Sequence, residues 1–129
     1  VDLYDRARLA NNLNASLFVS IHNNAMPDKN FDGTMTLYYP GRNNSSGFSG
    51  RRFAEIVQKE MLGKLGTTDR GIIQRPNLVV LRETKMPAIL AEVAFVTHAG
   101  DRQKLQSGDF RQKAAEAVVD GIIKALGEI

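Results

Sequence analysis

Cysteine and tryptophan are both absent from this 129-residue chain. Without cysteine there is no disulfide and no thiolate metal site, and the redox compartment stays open. No run of eighteen apolar residues occurs, so nothing reads as a membrane span. Aromatics are few, six Phe and three Tyr, and the basic residues form no dense stripe. Nucleic acid is therefore not an expected partner. No signal-peptide pattern is seen. The chain opens on Val1-Asp2-Leu3-Tyr4, already in helical pattern, which reads as a cut domain or a processed product.

What is present suits one globular domain of modest core. Apolar residues make up 43% and charged residues 24%. The net charge of +3 suits polyanionic surroundings without naming them. Residues 3–15 carry apolar positions at helical spacing. Residues 16–22 form an almost continuous apolar run, as in a strand covered on both faces. The following Asn23 and Asn24 read as the close of a turn. "TMTLYY" (34–39) alternates, which predicts a less buried or edge strand. A helix runs from about Ser49 to Leu65, stopped by Gly66. "TTDRGIIQRPN" reads as an irregular connection, "LVVLR" (78–82) as a third strand and "AILAEVAFV" (88–96) as a fourth. A helical turn at 99–106 and a long helix from Asp109 to Leu126 close the chain, with Gly121 permitting close packing.

The expected fold is α/β, a three-layer, mostly parallel sheet flanked by helices. A helix leads into the sheet with no strand before it, so the sheet is expected to be incomplete at its N-terminus.

Two apolar strands carry an ionisable residue. His22 follows the first, at the carboxyl end where α/β sheets bind ligands. Glu92 interrupts the last, and a buried carboxylate is costly unless paired or bound to a metal or water. His22 can bind Zn²⁺ as neutral imidazole, and a nearby Glu92 can ligate or accept a proton from water. On pattern alone both residues can instead be structural. Glu92 could pair with Arg82, and His22 could simply be hydrogen-bonded. The metallohydrolase reading requires His22 and Glu92 to face one cleft within roughly 10 Å.

Two segments go further. "RARLANNLNASLFVSIHNNA" (6–25) and "VVLRETKMPAILAEVAFVTH" (79–98) resemble the zinc-histidine and catalytic-glutamate segments of the type-3, zinc-dependent N-acetylmuramoyl-L-alanine amidases. The closing "DRQKLQSGDFRQKAAEAVVDGIIKAL" is similar to that family's final helices. The resemblance implies that residues 1–129 are the C-terminal major portion of such a catalytic domain, lacking its N-terminal strand and helix. It makes His22 a Zn²⁺ ligand and Glu92 the catalytic general base. It places Asn24, Arg82 and Ser20 in the substrate pocket or just behind the ligands. Two of the three protein ligands of the family's zinc are then absent, and the segment alone is expected to be inactive. His98 departs from the family pattern and reads as a surface-turn residue rather than a ligand. The implied substrate is the peptidoglycan amide between N-acetylmuramic acid and L-alanine. The implied setting is extracytoplasmic, in cell wall, periplasm or medium, as a monomer. The alternative is a non-catalytic wall-binding or interaction domain of the same fold.

Overall fold

The structure, a computed structural model, describes residues 2–129. Val1, part of the opening read above, lies outside them. Asp2 caps the first helix, α1 (Leu3–Asn12), by accepting the Tyr4 N–H at 2.7 Å. Asn14 takes a positive φ of 50° and turns the chain into strand β1 (Phe18–Asn24). Asparagine tolerates that region better than most residues.

Strand β2 (Thr34–Tyr38) leads to helix α2 (Gly50–Leu65). Ser49 caps this helix at its start and left-handed Gly66 at its end. Strand β3 (Asp69–Gln74), the short helix α3 (Val79–Arg82) and strand β4 (Ala88–Phe95) follow. Two helices end the chain, α4 (Ala99–Gln106) and α5 (Gly108–Leu126).

The sheet order is β1-β4-β2-β3. β1 runs parallel to β4 and β2 parallel to β3, while β2 and β4 are antiparallel. The sheet is thus mixed rather than mostly parallel, because β2 enters from the end where β1 and β4 finish. α2 and α5 cover one face, burying Phe53, Val57 and Met61 against Ile89, Ala91 and Val93. On the other face Val80 and Leu81 of α3 pack on Leu37, Ala88 and Leu90, with α1 beside α3. The strand alternation of two assigns each side chain its face.

Four expectations need correction. The sheet was expected to lack its N-terminal part, yet the chain has an N-terminal helix and strand, α1 and β1. β1 is paired along its length, from Phe18↔Ala88 to Asn24↔Phe95. Its parallel partner, β4, comes from far downstream. Asn23 and Asn24 extend β1 instead of closing a turn. β2 is an interior strand, and Thr34 and Thr36 are fully buried although polar. Their hydroxyls find partners, which is why polar residues can alternate there without marking a solvent face.

The third strand is also displaced. "LVVLR" is helical, with the Leu78 carbonyl accepting from the Leu81 and Arg82 N–H groups. Arg42 caps its last turn by donating to the carbonyls of Leu81, Arg82 and Thr84. The real β3 lies in the stretch read as irregular. Gly71, at φ +80°, breaks its alternation and puts a register shift into the β2–β3 ladder. Gly121 behaves as expected: a Cβ there would lie 2.8 Å from Val57 Cγ2, so only glycine lets α5 approach α2 this closely.

Candidate functional site

β1 and β4 end, and β2 begins, at one edge of the sheet. There His22 and Glu92 are register partners in adjacent parallel strands. Neighbouring strands lie about 4.8 Å apart, so the backbones of the pair fall within the distance set above. Both residues fall on the α3 face, two positions on from Ser20 and Leu90 respectively. His22 is exposed and Glu92 half-buried.

Glu92 Oε2 is buried and has no hydrogen-bond partner. Burial pushes the Glu92 carboxyl above its usual range, because the anion loses water and gains no donor in exchange. An orphaned carboxylate oxygen beside an open imidazole is a donor set that suits a divalent metal and a water.

The other predicted residues divide. Asn24 reaches the site: its Nδ2 lies 3.5 Å from Sδ of Met35, and Met35 is the β2 partner of Glu92. Ser20 lies half-buried along β1 with His22, where both line a groove against Arg6, Leu9 and Leu13 of the α1 segment. Arg82 does not pair with Glu92. It donates to Glu83 at 3.1 Å and to the Tyr4 hydroxyl at 3.2 Å, linking α3 to α1.

The sequence reading missed a second group at the same end of the sheet. Asp32, His98 and Asp101 bring ligand atoms within 4.8 Å of one another, an arrangement consistent with metal coordination. It is the one such three-residue group among the described residues, and His22 is not part of it. Its atoms also have hydrogen-bonding duties. His98 caps α4, with Nδ1 accepting the Asp101 N–H at 3.0 Å. Asp101 Oδ2 accepts from Gly33 and Phe95, each at 2.9 Å, while its buried Oδ1 has no hydrogen-bond partner, with Lys104 Nζ approaching to 3.9 Å. Desolvation alone would raise the Asp32 carboxyl, but hydrogen bonds from Arg70 at 2.9 Å and Thr68 at 3.3 Å, with nearby positive charge, outweigh it and hold the group below its usual range. The spacing His98-x-x-Asp101 at a helix start was the available signal, as a variant of the capping box.

Residues 1–124 match the N-acetylmuramoyl-L-alanine amidase family along their whole length. The chain belongs to that family. It is 36% identical over 124 residues to the N-acetylmuramoyl-L-alanine amidase LytC of Bacillus subtilis, covering 94% of the chain and 24% of that protein. It is 40% identical over 121 residues to an uncharacterized cell wall amidase of Bacillus anthracis, covering 92% of the chain and 22% of the relative. These curated relatives are thus about four times longer than the part they share with it. Among solved structures, an N-acetylmuramoyl-L-alanine amidase from Clostridium difficile 630 superposes with a TM-score of 0.89 at 36% identity, covering 98% of this chain and 66% of that one. The catalytic domain of the amidase CwlV from Bacillus (Paenibacillus) polymyxa gives 0.86 at 36% identity, covering 100% and 68%. The family resemblance seen in the sequence therefore stands. Its qualification, a missing N-terminal strand and helix, is corrected by the presence of α1 and β1 in this amidase-family fold.

Proposed function

We propose that the chain carries the hydrolytic centre of an N-acetylmuramoyl-L-alanine amidase, with His22 as a Zn²⁺ ligand and Glu92 as the general base. The observation that carries this reading is the His22–Glu92 register pair, with its buried, unpartnered Glu92 oxygen. When bound, Zn²⁺ supplies Lewis-acid polarisation of the scissile carbonyl and acidification of water.

The remaining chemistry belongs to the chain. Glu92 accepts the proton from the attacking water as its oxygen bonds to the carbonyl carbon. It then delivers that proton to the departing nitrogen as the amide C–N bond breaks. The products are the free lactyl carboxylate of N-acetylmuramic acid and the amine of the L-alanyl peptide. A carboxyl raised by burial suits both halves, since its pKa lies nearer the working pH than that of an exposed glutamate. His22 needs its open position to reach a metal. Asn24 and Ser20 flank it, as wall of the substrate pocket, and Arg82 lies farther off on α3.

The substrate is peptidoglycan, and the setting is extracytoplasmic and wall-associated. The excess of basic residues suits that polyanionic matrix. Among the described residues no helix is long and apolar enough to cross a membrane. The test is release of free N-acetylmuramic lactyl groups and L-alanyl peptides from purified peptidoglycan by the full-length protein. Glu92→Gln should abolish release while bound zinc is retained. A variant that still turns over would remove Glu92 from the role of base.

A further inference from the structure

Glu92 must be aimed, yet its buried Oε2 has no hydrogen-bonding neighbour to aim it. Its direction comes from the β4 backbone, and that backbone is irregular immediately after it. His22 pairs with Glu92, but Asn24 pairs with Phe95, so β4 carries one extra residue at Val93–Ala94. Bulges of this kind redirect the adjacent side chain and need something to hold them.

The holding group lies on the opposite face of the sheet. Thr34, fully buried, donates its hydroxyl to the Val93 carbonyl at 2.7 Å. A hydroxyl has one proton, so the 2.5 Å contact between Thr34 and Thr67 must have Thr67 as donor. Gln58 of α2, 5% exposed, then fixes β2 itself. Its Nε2 donates to the Thr34 carbonyl at 2.8 Å and to Asp69 Oδ1 at 3.0 Å, and its Oε1 accepts from Thr36 at 2.9 Å. Both amide protons and the amide oxygen are engaged. Thr34 and Thr36 bracket Met35, the residue directly across from Glu92.

We propose that Thr34 and Gln58 are positioning residues for Glu92, pinning through the sheet the β4 bulge that aims its carboxylate. The proposal rests on Glu92 as the proton-transfer group. Neither residue shares the α3 face with Glu92, so neither can touch substrate. Their loss should therefore lower kcat and leave KM unchanged.

The experiment compares Thr34→Val, Thr34→Ser and Gln58→Met with Thr84→Val in the zinc-loaded full-length protein. Thr84 is an equally buried threonine whose hydroxyl has only the carbonyls of Val80 and Leu81, within its own turn, to share its one proton. Thr34→Val should lose about 10²-fold in kcat, the scale of a misplacement near 1 Å, at constant KM. Thr34→Ser, which keeps the hydroxyl, should recover most of it. Thr84→Val should lower the melting temperature without changing kcat. A second readout needs no turnover: in metal-free protein the methyl resonance of Met35 should shift in Thr34→Val and return in Thr34→Ser. If Thr34→Val does not fold, Gln58→Met carries both readouts. Equal kcat losses for Thr34→Val and Thr84→Val, or an unmoved Met35 methyl, would overturn the proposal. Turnover surviving in Glu92→Gln would instead strike the underlying reading of the base, so the two failures are told apart.

Discussion

Glu92 stands directly beside His22 in the β1–β4 ladder, yet its buried Oε2 meets no donor. Together these facts make the pair the candidate site, because a folded protein gains nothing in stability from leaving a carboxylate in that state. They also make stability depend on pH in a definite direction. Burial raises the Glu92 carboxyl above its usual 4.5, so between that value and the raised one the folded chain binds more protons than the unfolded chain. Stability then falls as pH rises through this window, and the full penalty is present above it. Glu92→Gln carries no ionisation. In metal-free protein its stability relative to wild type is expected to climb as pH rises above 4.5 and to level off beyond the window. Denaturant unfolding between pH 3.5 and 8 measures this, and a difference that stays flat with pH would contradict the assigned burial of the carboxylate.

Gly121 gives a packing prediction. Alanine improves helix propensity by about 1 kcal/mol, but its Cβ would press against Val57 at 2.8 Å. Overpacking of this kind costs about 1–3 kcal/mol. Gly121→Ala should therefore be net destabilising. Adding Val57→Ala should relieve the overlap, and a double-mutant cycle should show coupling between the two sites. Strict additivity would mean that α5 can shift away without loss.

Asp101 holds the corner where β4 passes into α4. Its Oδ2 accepts N–H groups from Gly33 and Phe95, which are far apart in sequence. Asp101→Ala leaves both buried donors unpaired and should cost about 2–4 kcal/mol. Asp101→Asn, which keeps one acceptor oxygen, should cost less. Urea unfolding checks the order, and an alanine variant as stable as wild type would show that the corner holds without this side chain.

Much of the architecture was legible because its signals are local. Ser49 and Gly66 bracket α2 as their capping preferences require, and the apolar run at 88–96 could hardly be anything but an interior strand. His22 and Glu92 stood out as candidates because an ionisable residue at the end of, or inside, such a run demands a reason. The failures were non-local. Nothing within 69–74 announces a strand, since Gly71 breaks the alternation and only pairing with β2 makes the segment extended. "LVVLR" is too short for periodicity to decide, and the Arg42 cap that fixes it as helix comes from a distant loop. β1 finds its partner in β4, far downstream, which no local pattern announces. Asp32 escaped notice because it meets His98 and Asp101 only in the folded chain, whereas the local His98–Asp101 pairing left a capping signal that went unused.

The central claim is that His22, and not the Asp32–His98–Asp101 group, ligates the catalytic metal. Zinc stoichiometry of the full-length protein, measured with peptidoglycan turnover for His22→Ala and His98→Ala, tests it most directly. His22→Ala should lose the bound zinc and all turnover while keeping its fold by circular dichroism. His98→Ala should lose stability but retain zinc and turnover. Retained zinc in His22→Ala, or loss of zinc in His98→Ala, would contradict the account and move the metal to the corner beside α4.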